Sequence, residues 1–413
     1  MSNTYFPIRT QTSCQLKWNW TSLYLNGGFS RTCHRTAETQ LTPENFENFH
    51  NTDIVLSDRK RMLQGLWPEE SCSYCRRLEE SGGMSDRLRQ IDIPNMSPPE
   101  LLDDPTAVVV SPTVLEVFFN NTCNLGCLYC TPFLSSVINA ENQKFDFDQP
   151  GLNLKPVDTH YKDLSPYFWK WFPTGFPKLK RFGVLGGEPM YQKELDKLLD
   201  MIEANPNPDC ELNIVSNLMV STDRVAMFVE RFKHLTQTNK IKRVDITCSI
   251  DCWGPQAEYV RWGLDLDQWL KNFELMISND WLYININQTV TALTIKTMPE
   301  LLTRLAEWNK VMPVHQHFSL PAPGPSFLHP AILGGQEFKE DFEKILSLMP
   351  RATDEDKITH EYMSGIARSI CASEVNPAEI KKLMTYLNEK DRRRGTDWEP
   401  LFPWLVEYKK YVV

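Results

Sequence analysis

Residues 121–130 read Asn-Thr-Cys-Asn-Leu-Gly-Cys-Leu-Tyr-Cys (NTCNLGCLYC), which spaces Cys123, Cys127 and Cys130 as C-x3-C-x2-C. Thiolates are ligands of zinc and of iron–sulfur clusters, normally four to a closed site. Three on one loop leave a coordination position for another ligand. The preceding stretch, TVLEVFFN at 113–120, is rich in β-branched and aromatic residues and predicts a strand. In parallel α/β sheets ligands sit beyond the carboxyl ends of the strands. A thiol triplet directly after the first strand is therefore where chemistry belongs.

Outward from the triplet, strand and helix signals alternate. Strands are predicted in KRFGVLGGEP (180–189), CELNIVSNLMV (210–220), KRVDITCSID (242–251), LYININQTVTA (282–292) and PVHQHFSL (313–320). Helices are predicted in YKDLSPYFWKWF (161–172), YQKELDKLLDMIEAN (191–205), TDRVAMFVERFKHL (222–235, Thr222 as N-cap), LDQWLKNFELMIS (266–278) and MPELLTRLAEWNK (298–310). Six βα-type repeats imply an α/β fold with a parallel sheet curled toward a partial (β/α)6, TIM-like barrel, short of the eight units of a closed one. The chain divides into a cysteine-bearing α+β module at 1–92, a five-proline linker at 93–112, the barrel at 113–330 and a helical region at 331–413.

The 413 residues carry 44 Lys+Arg against 53 Asp+Glu, a net charge of −9, which argues against nucleic acid as the partner. No apolar run suits a membrane span, and the first residues lack a signal-peptide core, so a cytoplasmic location is expected. Eleven cysteines in a reducing compartment point to metal binding or chemistry rather than disulfides. For the triplet itself, a zinc site borrowing a distant ligand and buried free thiols stand as alternatives.

The triplet resembles the cluster motif of radical S-adenosylmethionine (SAM) enzymes, in which three cysteines hold a [4Fe–4S] cluster and SAM chelates the fourth iron. Tyr129 matches the aromatic that the family keeps beside the adenine. Gly186-Gly187-Glu188 resembles the family's GGE turn for the SAM ammonium; two glycines let the main chain approach a ligand. A plain strand-to-helix turn is the other reading. Ser216 and Asn217 stand where ribose hydroxyls would lie, or cap a helix. Ser249-Ile250-Asp251, nine residues and Arg261 resemble an S-I-D-x9-R segment that holds the ribose and carboxylate of SAM. Arginine suits a carboxylate because its fork pairs bidentately; an ordinary surface-helix arginine is the alternative. The family often has glycine after that aspartate, where this chain has Cys252. On the last two strands, Asn287 or Gln288 and His317 or Phe318 are candidates to face the cofactor.

Four further cysteines lie before the barrel. Cys14, Gly28 and Cys33 are spaced C-x13-G-x4-C around a hairpin turn at Asn26-Gly27, and Cys72-x2-Cys75 follows. Four thiols satisfy a structural zinc site. The spacing also resembles the hairpin of SPASM and Twitch domains, which hold auxiliary [4Fe–4S] clusters; four cysteines suit the single cluster of Twitch. In the family this domain follows the barrel, whereas here it would precede it. Cys210, Cys248, Cys252 and Cys371 lack metal spacing and read as buried thiols. Cys252 is the catalytic candidate among them, as a hydrogen donor to a carbon radical.

The resemblance implies reductive cleavage of SAM to a 5′-deoxyadenosyl radical that abstracts a substrate hydrogen. It also implies an electron donor such as flavodoxin or ferredoxin. A peptide substrate, oxidised, crosslinked or epimerised, is the leading expectation; a sugar or amino acid derivative is the second. A non-catalytic iron–sulfur or zinc scaffold is the reading from another class.

Overall fold

The computed structural model describes residues 11–80, 85, 87–88, 107–145, 152, 154–321 and 325–411. Most of the expected linker lies outside these residues. Six parallel strands carry the predicted repeats: β4 (Val114–Phe118), β6 (Arg181–Leu185), β7 (Asn207–Ser216), β8 (Ile241–Ser249), β10 (Tyr283–Thr289) and β11 (Val314–Ser319). Sequential strands are neighbours, and helices such as Lys193–Ala204, Thr222–Gln237 and Met298–Trp308 connect them, the usual crossover for parallel pairing.

The N-terminal hairpin enlarges this sheet. β1 (Trp20–Tyr24) turns through Leu25–Gly28 into the antiparallel β2 (Phe29–Arg31), with β3 (Thr39–Gln40) beyond it. β1 also lies parallel to β4, pairing Trp20 with Val114 through Tyr24 with Phe118. The cysteine-bearing segment and the predicted repeats thus share one nine-stranded sheet, ordered β11-β10-β8-β7-β6-β4-β1-β2-β3.

Strand residues alternate between two faces, and here the alternation separates apolar from polar. Val117, Val184, Ile214, Ile246 and Ile286 pack with Leu198, Phe228, Phe273 and Leu301 of the covering helices. Register places Glu116, Asn213, Asp245, Thr247, Ser249 and Asn287 on the opposite face. Helices therefore cover one side of the sheet, and the other is left for polar groups.

After β11 the chain is mainly helical, with Lys339–Leu348, Asp354–Cys371 and Pro377–Arg394 as the main elements. The helix expected to start on Thr222 is capped one residue earlier, where Ser221 accepts from the Arg224 N–H. Among the described residues no helix is long and apolar enough to cross a membrane.

Candidate active site

The cysteine loop leaves the carboxyl end of β4 and is held on two sides. On the first side, the GGE turn reaches it through the backbone. Glu188 N–H donates to Thr122 O at 2.9 Å, and Gly187 N–H donates to Leu134 O at 3.1 Å. Gly186 and Gly187 have φ of 81° and 59°, the left-handed region that glycine enters without steric cost. A Cβ on Gly187 would stand 2.3 Å from Thr122 O, so only glycine allows this approach.

Glu188 is fully buried. Its carboxylate accepts from Met190 N–H (2.9 Å), the Ser216 hydroxyl (2.7 Å) and Asn217 N–H (2.5 Å). Burial raises its pKa to about 7, partly offset by those three donors. Asn217 continues the chain of contacts, its amide donating to Asn124 Oδ1 at 3.0 Å and to Cys123 Sγ at 3.9 Å. The residue after it, Leu218, is held at φ 57°, a conformation costing a non-glycine residue about 1–2 kcal/mol.

On the second side, the loop itself forms a short strand, β5 (Gly126–Cys127). It pairs antiparallel with β9 (Arg261–Trp262), setting Cys127 opposite Arg261. Leu128 N–H extends the ladder to Val260 O at 2.8 Å. Arg261 is buried and donates to both oxygens of Asp251, from Nε at 2.9 Å and Nη2 at 2.8 Å. The same carboxylate accepts from Tyr129 OH and from Thr289 N–H, both at 2.8 Å. Arg261 lies 5.5 Å from the centre of the Tyr129 ring. Asp251 is thus fully satisfied beneath the loop.

The thiols feel one another. Burial, then Cys127, pushes Cys123 up to about 12; Cys130 is raised by burial and by Cys127 and Cys123. Burial also raises Cys127, against the opposing pull of Arg261 and Arg394. Among the described residues no three His, Cys, Asp or Glu side chains stand ready to hold a metal ion as placed. The fit to an iron–sulfur cluster lies in the donor set: three thiols on one loop, beside buried guanidinium charge. Bound iron would displace their protons and take them as thiolates.

Cys14 and Cys72 share one buried cluster with Trp18 and Met62, and Cys33 lies at its border. Burial raises Cys72, with Cys14, Asp58 and Cys33 adding to it and Lys17 opposing. Cys75, also buried, follows one turn later on the helix Glu69–Glu80. Cys252 stands apart from both groups. It is fully buried in the core, where burial raises it to about 12. Ser249 ends β8 opposite Asn287. Gln288 is buried, both amide atoms lacking a partner among the described residues, and Phe318 pairs beside it. His317 is exposed, 3.2 Å from Asn285 Oδ1.

Two positioning residues escaped the sequence reading. The buried Gln192 side-chain amide donates to Asn120 O, Thr122 O and Gly186 O at 3.2, 3.1 and 3.0 Å, pinning the cysteine loop to the GGE turn. Asn272 donates to Leu218 O (2.7 Å) and Val220 O (2.8 Å), holding the strained turn. Asn272 had a signal: it stands on the apolar stripe of its helix, with Trp269, Phe273 and Met276. Gln192 had none.

No family model matches the chain, and no curated protein matches it. Solved structures resemble it distantly. The structure of anSMEcpe with bound AdoMet has a TM-score of 0.37 at 15% identity, covering 57% of this chain and 59% of that one. SuiB of Streptococcus suis bound to S-adenosylmethionine has a TM-score of 0.35 at 17% identity, covering 68% and 60%. TYW1 with a lysine-pyruvate adduct bound has a TM-score of 0.28 at 14% identity, covering 58% and 69%. The chain spans 59% and 60% of the first two structures' own lengths. These likenesses are too loose to assign a function.

Proposed function

We propose that this protein is a radical SAM enzyme with a partial-barrel catalytic domain. The observation that carries the reading is the meeting of three distant segments on the cysteine loop. Glu188 and Asn217 reach it beside Cys123, and Arg261 with Asp251 beside Cys127. A structural metal loop would need neither.

Cys123, Cys127 and Cys130 would hold a [4Fe–4S] cluster, leaving one iron to SAM. Gly186, Gly187 and Glu188 would take the SAM ammonium. Ser216, Asn217 and Ser249 would lie along the ribose, with Tyr129 beside the adenine. Arg261 would meet the carboxylate, its charge shared with Asp251. When bound, cluster and SAM supply a 5′-deoxyadenosyl radical, a cofactor's chemistry that the protein orients.

Cys14, Cys33, Cys72 and Cys75 would hold a second [4Fe–4S] cluster in a Twitch-like site at 1–92, before a linker at 93–112, the barrel at 113–330 and a helical region at 331–413. The polar face of the sheet, from Glu116 to Asn287, suits a substrate rich in amides, so a peptide is the proposed substrate. A flavodoxin or ferredoxin in the cytoplasm would supply electrons. Cys252, enclosed by core side chains, would donate hydrogen only if that core opened.

Anaerobic reconstitution tests the reading. About eight irons per chain, with 5′-deoxyadenosine released on adding SAM and reductant, supports it. About four irons with one zinc reassigns the N-terminal site. An intact cluster on the triplet that yields no deoxyadenosine sinks the enzyme and leaves the scaffold.

A further inference from the structure

The helix Pro377–Arg394 lies across the cysteine loop, far from it in sequence. Tyr386 OH donates to Leu128 O at 2.7 Å, between Cys127 and Cys130. The last turn of the helix is basic and ends at Gly395 (φ 68°). There Lys390, Arg393 and Arg394 converge on one carboxylate, Glu141, of the helix Ser136–Lys144 that follows the loop. All three cations are at most 3% exposed.

In contact the buried charges do not balance. Lys390, Arg393 and Arg394 pair with Glu141 and Glu389, three cations against two carboxylates, while Arg392 on Glu389 is 57% exposed. Asp391 is engaged by neutral donors, Tyr259 OH, the Thr396 hydroxyl and Trp398 N–H. Burying an uncompensated cation is costly unless an anion lies near. Arg394 Nε bonds to Glu141 Oε2 at 2.8 Å, while its buried Nη2 has no acceptor among the described residues. That nitrogen points at the loop: a Cβ on Gly126 would stand 3.1 Å from it. Its guanidinium also covers the Trp262 ring at 4.8 Å, on the strand paired with Gly126. Arg261, the other guanidinium at Cys127, is already neutralised by Asp251.

We propose that Arg394 is a positioning residue of the cluster site, supplying the loop's uncompensated counter-charge and raising the cluster's reduction potential. The inference rests on the radical SAM reading. Loading the loop places negative charge beside the free Nη2, and added electrons are stabilised by the same cation. The basic turn thereby joins the C-terminal helix to the redox state of the loop.

The test is a potentiometric titration of the reconstituted full chain, read on the electron paramagnetic resonance signal that responds to SAM. Arg394→Gln is expected to shift the midpoint to a more negative value with iron content unchanged. Arg394→Lys keeps the charge and should stay near wild type. Should Arg394→Gln not hold iron, Glu141→Gln carries the test with the opposite sign, since removing the carboxylate should shift the midpoint to a more positive value. An unshifted midpoint in a fully loaded Arg394→Gln or Glu141→Gln protein overturns the proposal. A wild-type chain holding no iron on Cys123, Cys127 and Cys130 overturns the function itself, and this proposal with it.

Discussion

Asp251 and Arg261, ten residues apart in sequence, form a buried bidentate ion pair beneath the cysteine loop, at 2.9 and 2.8 Å. The pair ties the end of β8 to β9, and β9 to Cys127. Its exclusion from water makes it rigid, and it makes the loss of either partner expensive.

Asp251→Asn leaves the guanidinium buried without its counter-ion. It should cost roughly 3–5 kcal/mol in denaturant unfolding. Tyr129→Phe removes one donor from a carboxylate that keeps the other three, and should cost about 1–2 kcal/mol. Equal losses for the two variants would refute the ranking.

Gly187→Ala forces a side chain to φ 59° with its Cβ 2.3 Å from Thr122 O. The backbone conformation alone costs about 1–2 kcal/mol. The clash must also push Thr122, and Cys123 with it. Lowered thermal stability together with lowered iron retention after reconstitution is the expected pair of effects.

Glu188 has its folded-state pKa raised from 4.5 to about 7. Its stabilising contribution is therefore complete below about 4.5 and is lost as pH rises through about 7. At about 1.4 kcal/mol per pH unit, unfolding free energy should fall by about 3 kcal/mol across that window. Glu188→Gln should be less stable, because an amide cannot accept from Ser216 and both N–H donors as the carboxylate does. Its profile between pH 5 and 8 should nonetheless be flatter than wild type. Parallel profiles for the two proteins would remove Glu188 as the cause.

Asn272→Leu preserves the size of the side chain and removes both donors to the Leu218 and Val220 carbonyls. Leaving buried carbonyls unmet costs roughly 1–3 kcal/mol. The Leu218 turn should loosen, so hydrogen exchange at 217–220 should quicken more than within β7.

Cys127→Ala should abolish deoxyadenosine formation, while Cys72→Ala should spare SAM binding and impair turnover or folding. Iron counts on the two variants separate the sites. A Cys127→Ala protein that still cleaves SAM would contradict the role given to the triplet.

Much of the sheet was legible, because each strand alternates and each crossover helix carries an apolar stripe within its own residues. The pairing of β1 with β4 was hidden: Trp20–Tyr24 satisfies a hairpin on one edge, and nothing local reveals what meets the other. By itself, the DRRRG end of the helix Pro377–Arg394 has the composition of a solvated run, charged and short. The side chains of Arg393 and Arg394 are nonetheless enclosed, since Glu141 and the Trp262 ring meet them from distant parts of the chain.

The sequence by itself determined the donor set, since the spacing of Cys123, Cys127 and Cys130 confines three thiols to one loop whatever surrounds them. It also marked GGE, Ser-Asn and S-I-D-x9-R as the segments to look for beside that loop. Only the tertiary structure decided how these meet: Gln192 binding three carbonyls, β5 pairing with β9, Asp251 claiming the fork of Arg261, and Arg394 facing Gly126. The physical reason is range. Spacing and periodicity are set by bonds along the chain, whereas charge compensation and hydrogen bonding in a buried site depend on whichever groups folding brings within a few ångströms.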